Sequence, residues 1–466
     1  MKYENKKLEE FEKYVKGKKI AIIGLGVSNI PLIDYFHCLG SKVTVFDNRE
    51  IQNIPKTIMD KITNYTMEFS FGKDNLAKLN GFDIIFRSPS CMPNIPEIIK
   101  EKDKGAIVTS EIEMLMEMCP GTVIGITGSD GKTTTTSLIY NMVKNKGYNC
   151  YLGGNIGIPL FTKLKEMQPE DIVVLELSSF QLMEMKVSPK ISVITNITPN
   201  HLNIHHSYEE YIEAKKNIFK NQNKEDILVL NYDNEITRKC GDEAKGKIVY
   251  FSSKEKLNDG IILDEDIIKE CKNKIREHLI KVTDIPLRGV HNYQNICAAI
   301  AATKTLVDIK TQIQTIKQFQ GVEHRLEFVR EINGVKWYND SIGTSPTRTI
   351  AGIEAFQEEI VLIAGGYDKH LDYTPIAKPI LKKVKKLILM GQTADKIYEA
   401  VLEEEKKQKK EIDIYQCDTL LQTVQIANKI AKKGQIVLFS PASASFDLFK
   451  DFADRGNQFK DLVKEL

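Results

Sequence analysis

The chain has 466 residues, a length that corresponds to about three domains of ~150 residues each. Its composition, with 42% hydrophobic and 27% charged residues, is that of a folded globular protein and excludes a disordered chain. Lysine and arginine (65) nearly balance aspartate and glutamate (63), and the formal charge of +2 argues against a general role in binding nucleic acid or a membrane surface.

The N-terminus and the cysteines are typical of a cytoplasmic enzyme. The first residues, MKYENKKLEEFEKYVKGKK, are charged throughout and lack the apolar stretch of a signal peptide. No apolar run approaches the ~20 residues that a membrane helix needs. The eight cysteines are widely spaced and include no CxxC pair, so they do not resemble a disulfide framework. We therefore expect a cytoplasmic enzyme with no membrane insertion and no nucleic-acid partner.

The first predicted elements form a βαβ unit. The segments KKIAIIGLG and SKVTVFD read as strands on either side of the helix VSNIPLIDYFHCLG, and FDIIFRSPS reads as a further strand. Such a unit begins a parallel sheet. We assign residues 1–117 to this first domain.

The turn after the first strand resembles a dinucleotide-binding fingerprint. It contains Gly24 and Gly26, and Asp47 ends the next predicted strand. Asn29 occupies the position of the third glycine, and the GxGxxG pattern is weak even when complete. The turn predicts a site for a nucleotide diphosphate, with NAD binding or plain strand–turn packing as alternatives.

The pattern restarts near residue 118. TVIGITG, DIVVLELSS and KISVITNI read as buried strands, and GVHNYQNICAAIAATKTL reads as a helix rich in small apolar residues. We assign residues 118–321 to this central domain.

The strongest local signal is the segment GITGSDGKTT at residues 125–134, between a predicted strand and a predicted helix. Glycines allow a tight turn whose N–H groups point at one anion, and the helix N-terminus adds a partial positive charge. Lys132 can reach the β- and γ-phosphates of a nucleotide, and the Thr133 hydroxyl can bind Mg²⁺. Ile126 breaks the strict GxxxxGK[ST] pattern, yet the strand, the GKT sequence and the helix together predict phosphate binding.

Two further strands of this domain end in candidate metal ligands. Glu176 closes DIVVLEL, and an acid at such a strand end beside a phosphate loop typically holds the metal. His201, His205 and His206 follow KISVITNI without an HExxH pattern or a nearby cysteine, which makes a structural zinc site a weak alternative. We assign His201 a role at Mg²⁺ or a substrate oxygen, and ordinary loop histidines remain an alternative for the other two.

A third α/β layer follows FQGVEHRLEFV, with GVKWYNDS, EIVLIAGG, KKLILMG and QIVLFSPAS as strands separated by helices. We assign residues 322–466 to this C-terminal domain. The predicted fold class is α/β with three domains: a Rossmann-like N-terminal domain, a P-loop-type central ATPase and a Rossmann-like C-terminal domain.

In combination these motifs resemble the Mur ligases, ATP-dependent enzymes that join amino acids to the cell-wall precursor. The resemblance extends from Gly24 to Gly456, and its motifs include GITGSDGKTTTT, ELSSFQL at 176–182 and SPASASFDLFKDFADRG at 440–456. The last two are similar to the family members that add D-glutamate to UDP-N-acetylmuramoyl-L-alanine (UDP-MurNAc-L-Ala). The resemblance implies that ligation proceeds through an acyl phosphate and gives ADP and phosphate. It also implies ATP and two Mg²⁺ ions, a role in peptidoglycan precursor synthesis, and a monomer.

The resemblance further implies a role for each matching residue. The ATP site would comprise Gly125, Thr127, Gly128, Ser129, Asp130, Gly131, Lys132, Thr133, Thr134, His291, Asn292, Asn295, Arg325 and Asp340. Metal ligands would be Thr133, Glu176, His201 and a carbamylated Lys215, and the catalytic set would be Lys132, Glu176, His201 and Lys215. The UDP-precursor site would comprise Gly24, Leu25, Gly26, Val27, Ser28, Asp47, Asn48, Arg49 and Asn155. The D-glutamate site would comprise Thr344, Lys369, Ser445, Phe446 and Phe452.

The residue types at the D-glutamate site suit a dicarboxylate. Lys369 follows the strand EIVLIAGG and supplies a cation at a strand's carboxyl end. Ser445 is predicted to begin a helix after QIVLFSPAS, so that its hydroxyl and the helix N–H groups could bind a carboxylate. The two phenylalanines would form the walls of the pocket, and core packing is the alternative for them.

The chain departs from the family pattern at two positions. Ile342 stands where many relatives carry lysine, and Ser90 stands in the loop SPSCMP where glycine is usual. A sister amide ligase and a non-catalytic nucleotide sensor remain alternative functions, and assays of ADP release with candidate amino acids distinguish all three.

Overall fold

The computed structural model describes residues 3–63, 65, 68–199, 205–369 and 371–466. The chain forms two compact units: Met1–Asp284 with Val290–Lys317, and Ile285–Gly289 with Gln318–Leu466. The first unit contains two β-sheets and the second unit contains one. Among the described residues, no helix combines the length and the apolar character needed to cross a membrane.

The first sheet has five parallel strands in the order β3-β2-β1-β4-β5. Its strands are β1 (Lys19–Ile23), β2 (Lys42–Asp47), β3 (Glu68–Phe71), β4 (Ile84–Arg87) and β5 (Ile107–Thr109). Its helices are α1 (Lys6–Val15), α2 (Ile30–Cys38), α3 (Lys56–Ile62), α4 (Pro96–Asp103) and α5 (Glu111–Met118). The strand order reverses direction between β1 and β4, and this is where ligands of open α/β sheets bind.

The second sheet has nine strands in the order β14-β13-β12-β11-β10-β9-β6-β8-β7. Its strands are β6 (Thr122–Thr127), β7 (Cys150–Gly154), β8 (Ile172–Glu176), β9 (Ile191–Ile194), β10 (Ile227–Asn231), β11 (Lys247–Ser252), β12 (Gly260–Asp264), β13 (Ile267–Lys272) and β14 (Ile275–Lys281). Its helices are α6 (Lys132–Lys146), α7 (Ser179–Leu182), α8 (Tyr208–Lys220), α9 (Glu235–Glu243), α10 (Val290–Thr303) and α11 (Ile309–Gln318). The strands from β7 to β12 are parallel, whereas β13 and β14 add antiparallel hairpins at one edge.

The third sheet has six strands in the order β15-β16-β20-β17-β18-β19, all parallel except β15. Its strands are β15 (Glu327–Ile332), β16 (Val335–Asn339), β17 (Ile360–Ala364), β18 (Val384–Met390), β19 (Asp413–Cys417) and β20 (Ile436–Phe439). Its helices are α12 (Pro346–Glu354), α13 (Thr374–Lys383), α14 (Ala394–Gln408), α15 (Leu420–Ile430) and α16 (Phe452–Glu465). The central strands β16, β20 and β17 are neighbours, so the loops that follow them lie at one sheet edge.

The apolar runs of the sequence form the cores of these sheets. Every residue of β8, β9, β17 and β20 is buried, as expected for parallel strands that are covered by helices on both faces. The α/β fold class with three sheets is therefore confirmed. The domain boundaries after residues 117 and 321 stay predictions.

One predicted helix start is wrong. Ser445 does not begin a helix: the N–H groups of Leu448 and Phe449 donate to its carbonyl oxygen in an isolated turn, at 3.3 and 2.9 Å. The helix α16 begins seven residues later at Phe452, because the Asp451 carboxylate caps its first N–H groups. The segment after β20 is a loop, so Ser445 has no helix N–H groups beside it.

Candidate active site

The glycine loop after β6 is enclosed by two other segments of the second sheet. Gly128 and Gly131 have φ angles of +152° and +80°, which residues with side chains rarely adopt. A Cβ atom at Gly128 would lie 1.9 Å from Thr195 Oγ1, and one at Gly131 would lie 2.2 Å from Asn295 Oδ1. Both positions therefore require glycine for conformation and for space.

Hydrogen bonds from the loop after β9 fix the backbone of the glycine loop. The N–H groups of Ser129 and Asp130 donate to the carbonyl and side-chain oxygens of Asn196, both at 2.9 Å. Thr195 Oγ1 donates to the Asp130 carbonyl oxygen at 2.5 Å. Gly131, the N-cap of α6, has no side chain to occupy the first N–H groups of this helix. The arrangement is a preorganised anion site at a helix N-terminus.

Two lysine ammonium groups converge on this loop. Lys132 Nζ donates to the carbonyl oxygens of Gly128 and Ser129, both at 2.9 Å. Lys215 Nζ, from α8, donates to the same Gly128 oxygen at 2.8 Å and to Thr127 Oγ1 at 3.3 Å. Lys215 is only 1% exposed, and its burial, together with the charge of Lys132, holds its pKa well below the ordinary value.

Glu176 ends β8 beside the strand that leads into the loop, in register with Ile126. Its Oε1 accepts a hydrogen bond from Asn155 Nδ2 at 2.8 Å. Its Oε2 is buried and has no hydrogen-bond partner among the described residues. Because an unpartnered buried carboxylate oxygen is costly, this atom fits the role of a ligand for a hard cation such as Mg²⁺.

His205 connects α7 to the glycine loop through Tyr211. The sequence pattern left the role of His205 open. Its Nε2 lies 3.0 Å from Ser179 Oγ, and its ring stacks on Phe180 with centroids 5.1 Å apart. Its other neighbour, Tyr211, shares a hydrogen bond of 2.9 Å with Ser129 Oγ in the glycine loop. Burial lowers the pKa of His205. His201 lies outside the described residues.

The adenine-side candidates lie at the start of α10. Asn292 and Asn295 are buried, with Asn295 Nδ2 3.5 Å from Asn292 Oδ1, whereas His291 is exposed. The contact between Asn295 and Gly131 brings this group to the loop.

The turn of the first sheet is organised by Asp47. Its two carboxylate oxygens accept hydrogen bonds from the N–H of Leu25, the N–H of Arg49 and two guanidinium nitrogens of Arg49, at 2.7–3.0 Å. A carboxylate offers about four acceptor positions. All are used, so Asp47 is not available for the ribose contact that NAD-binding turns make. The geometry brings Gly24, Leu25, Asp47 and Arg49 together and disfavours the NAD alternative.

In the second unit, Asp340 follows β16 and is buried. Its Oδ2 accepts a hydrogen bond from Ser440 Oγ at 2.6 Å, and its Oδ1 accepts one from the N–H of Leu326 at 3.2 Å. Burial raises the pKa of Asp340 to about 6, against the opposing positive charges of Arg325 and Arg348. Arg348 Nη1 also donates to the Ile342 carbonyl oxygen at 3.2 Å, so a cation lies beside the position where the family resemblance predicts lysine.

The candidate D-glutamate residues lie on the loops after β16, β17 and β20, except Phe452, which begins α16. Lys369 Nζ is 5.8 Å from the ring centroid of the exposed Phe446, and Ser445 is buried on the same loop as that ring. The carbonyl oxygen of Phe452 accepts a hydrogen bond from Ser341 Oγ at 2.7 Å, three residues from Thr344.

Arg455, which the sequence pattern did not single out, joins these loops. Its guanidinium is 1% exposed and donates to the carbonyl oxygens of Ala444 (2.8 Å), Ser443 (3.1 Å) and Ser341 (2.8 Å), and to Ser341 Oγ (3.0 Å). Burial lowers the pKa of Arg455 to about 10. Its place in the segment ADRG, after the loop SPAS, is the sequence feature that could have identified it.

Three family models match successive parts of the chain. The MurD-like N-terminal domain of Mur ligases matches residues 18–110, the Mur ligase middle domain matches 126–303, and the Mur ligase glutamate ligase domain matches 324–443. The UDP-N-acetylmuramoylalanine–D-glutamate ligase of Acetivibrio thermocellus is 49% identical over 99% of both chains. The enzyme of the same name from Ruminiclostridium cellulolyticum is 48% identical over 99% of this chain and 100% of its own. The chain belongs to the Mur ligase family.

Solved structures share the fold of this Mur ligase at low sequence identity. The UDP-N-acetylmuramate-alanine ligase of Thermotoga maritima has a TM-score of 0.58 and 18% identity, covering 96% of this chain and 99% of its own. A pseudomurein peptide ligase type C of Methanothermus fervidus has a TM-score of 0.56 and 18% identity, with the same two coverages.

The pKa of Asp340 predicts a pH-dependent stability in this Mur ligase. Neutral Asp340 stabilises the fold below its unfolded pKa of 3.8, and this contribution is lost as the pH rises to about 6. At 1.36 kcal/mol per pKa unit, the loss amounts to about 3 kcal/mol. We expect Asp340→Asn to gain stability relative to wild type between pH 4 and pH 7, measured by urea unfolding of the unit that contains the third sheet. A wild-type-minus-variant difference that is constant over this range would contradict the assignment.

Proposed function

We propose that this Mur ligase joins D-glutamate to UDP-MurNAc-L-Ala and converts ATP to ADP and phosphate. The observation that carries the proposal is the convergence of Lys132 and Lys215 on the glycine loop, beside the unpartnered carboxylate oxygen of Glu176. The names and the near-complete coverage of the relatives support the choice of substrates.

The reaction has two steps. The L-alanyl carboxylate of the precursor attacks the γ-phosphorus of ATP, which gives an acyl phosphate and ADP. The amine of D-glutamate then attacks the acyl carbon, and phosphate leaves. A carboxylate nucleophile needs no general base in the first step, so positioning and charge stabilisation carry most of the catalysis.

The glycine loop and Lys132 perform the electrostatic part. The first N–H groups of α6 bind phosphate oxygens, and the Lys132 ammonium exchanges its loop carbonyl partners for the transferring phosphoryl group. Thr133 and Glu176 would hold Mg²⁺, together with His201 and a carbamylated Lys215. When bound, Mg²⁺ neutralises phosphate charge and orients its oxygens.

Residues that follow strands of the first and third sheets bind the other two substrates. The turn at 24–28 with Asp47, Asn48 and Arg49 binds the uridine diphosphate, and Asn155 contacts the muramyl part. The loops with Thr344, Lys369, Ser445, Phe446 and Phe452 bind D-glutamate. We assign uridine diphosphate binding to residues 1–117 and D-glutamate binding to residues 322–466. Residues 118–321 bind ATP, with Arg325 and Asp340, and contribute the Asn155 contact. A monomer acting in the cytoplasm, where ATP is available, completes the proposal.

Amino-acid selectivity tests the whole proposal. ADP release is measured with ATP, Mg²⁺, UDP-MurNAc-L-Ala and a panel of amino acids. We expect turnover with D-glutamate. Turnover with a different amino acid would indicate a sister ligase, and binding of ATP without turnover would indicate a nucleotide sensor.

Lys132→Ala should lower ligation by ~10²-fold or more, because it removes a charge that acts mainly on the transferring phosphoryl group. The control is Lys144→Ala, which removes an exposed lysine from the same helix. Circular dichroism checks that both variants fold. Ligation by Lys132→Ala within a few-fold of wild type would show that the phosphate assignment is wrong.

Lys215 should be carbamylated in the active enzyme. Carbamylation requires a neutral amine, and the burial that lowers the pKa of Lys215 favours that form. The carbamate would supply the oxygen ligands that Mg²⁺ prefers. We expect a carbamate signal from ¹³C-labelled bicarbonate and an inactive Lys215→Ala variant that small carboxylates partly rescue.

The neighbouring Lys216 provides the control for this experiment. Its ammonium is paired with Glu213 and Glu243 at 2.9 and 2.6 Å, so Lys216→Ala should keep both activity and the ¹³C signal. A fully active Lys215→Ala enzyme would refute the modification.

Lys369→Ala should raise the KM for D-glutamate or sharply lower turnover, and should leave the KM values for ATP and the UDP precursor nearly unchanged. The lysine supplies the fixed cation that a dicarboxylate needs when it leaves water. Lys378→Ala, an exposed lysine of α13, serves as control. Loss of ATP binding with unchanged D-glutamate kinetics would place Lys369 in the nucleotide site instead.

A further inference from the structure

Arg87 connects the first sheet to the segment that follows Glu176. It is the last residue of β4, and its side chain is 5% exposed. Its Nη2 donates to the carbonyl oxygen of Met183 at 2.8 Å, and both terminal nitrogens lie 3.4 Å from that of Phe180. Its Nη1 also donates to the carbonyl oxygen of Cys91 at 3.2 Å. The guanidinium thus joins the end of α7 to the loop after β4.

The surroundings of the Arg87 guanidinium are unfavourable for a positive charge. Burial lowers the pKa of Arg87, and its hydrogen-bond acceptors are backbone carbonyl oxygens rather than a carboxylate. A rigid, planar fork of donors can satisfy several carbonyl oxygens at fixed angles, whereas a lysine ammonium cannot reproduce that geometry. The contact therefore fixes the relative position of the two segments more strictly than an apolar contact would.

The two segments lead to two different substrate sites. Ser88 follows Arg87 directly and packs against the turn at Gly24, where an added Cβ would lie 2.5 Å from Ser88 Oγ. On the other side, Ser179 of α7 hydrogen-bonds His205 and lies three residues after Glu176. The side chain of Arg87 therefore joins the loop that packs against the turn to the segment that follows the Glu176 carboxylate.

We propose that Arg87 is a positioning residue that sets the distance between the uridine-diphosphate end and the reacting carboxylate of the precursor. The inference rests on the proposed function, in which one substrate occupies both the turn of the first sheet and the glycine-loop site. Binding energy from the nucleotide end can accelerate the reaction only if it places the carboxylate correctly. A placement error of about 1 Å costs up to ~10²-fold in rate.

The test compares the full precursor with N-acetylmuramoyl-L-alanine, which lacks the nucleotide, through kcat/KM in wild type and in Arg87→Gln. We expect Arg87→Gln to lose about tenfold or more with the full precursor and less than threefold with the truncated one. The inhibition constant of UDP and the KM for ATP should stay within about twofold, because each ligand occupies only one side. Arg87→Lys, which keeps the charge without the fork, should show the same selective loss.

Lys102→Ala is the matched control. Lys102 Nζ on α4 pairs with Glu184 Oε2, just after α7, at 2.9 Å, but both side chains are exposed. Lys102→Ala should change neither the kcat/KM for the full precursor nor the kcat/KM for the truncated one. Thermal unfolding checks that each variant folds, and Arg87→Lys decides the outcome if Arg87→Gln does not fold.

Two results would overturn the inference: equal losses of kcat/KM with both substrates, which indicate a purely structural role, or no loss of kcat/KM with the full precursor. A wild-type enzyme that does not ligate D-glutamate to the full precursor would instead refute the proposed function, and this inference with it. Because wild type is assayed first, the two failures are distinguishable.

Discussion

The carbonyl oxygen of Gly128 receives two ammonium groups, and much of the candidate site can be understood from that contact. Lys132 arrives from the helix that the glycine loop begins, and Lys215 arrives from α8. Two cations at one neutral oxygen repel each other and gain little from it. The excess positive charge therefore favours a bound polyanion, and it also favours loss of a proton from the more buried amine. Asp130 in the loop and Glu176 on the neighbouring strand provide counter-charges.

The same topological device recurs in all three sheets. In the first sheet, the loops after the neighbouring strands β1 and β4 separate where the turn at Gly24 contacts Ser88. In the second sheet, the loops after β6 and β9 separate where Thr195 and Asn196 contact the glycine loop. In the third sheet, β20 lies between β16 and β17, so three loops meet at its carboxyl end. Parallel pairing forces these loops to one edge, and polar residues can accumulate there without interrupting the buried strands.

Much of this could be predicted from the sequence, because its signals are local. Unbroken apolar runs between glycine turns predicted the core strands, and the GKT sequence at a helix start predicted the phosphate loop. Ser445 was misplaced in a helix because a serine after a strand is typical of an N-cap, whereas the true cap, Asp451, lies beyond an irregular loop. A single residue type could not distinguish the two.

Buried cationic side chains were harder to predict from the sequence than the strands and the phosphate loop. Arg87 and Arg455 satisfy backbone carbonyl oxygens contributed by distant segments, and no spacing in the chain marks that arrangement. His205 was ambiguous for the same reason, since its partners Ser179 and Phe180 belong to the helix α7. Composition assigns arginine and histidine to the surface, and only the fold shows which of them have left water.

The contact between Gly131 and Asn295 joins two parts of the chain that are far apart in sequence. The glycine loop is therefore not a self-sufficient motif, because one of its walls is contributed by α10. During synthesis the loop, its strand and its helix emerge long before that wall exists. The newly made chain can acquire a finished phosphate pocket only after α10 has left the ribosome and packed against α6. We therefore expect nucleotide binding only late in the folding of the second sheet, and we expect a fragment truncated before α10 to carry the whole motif without its binding geometry.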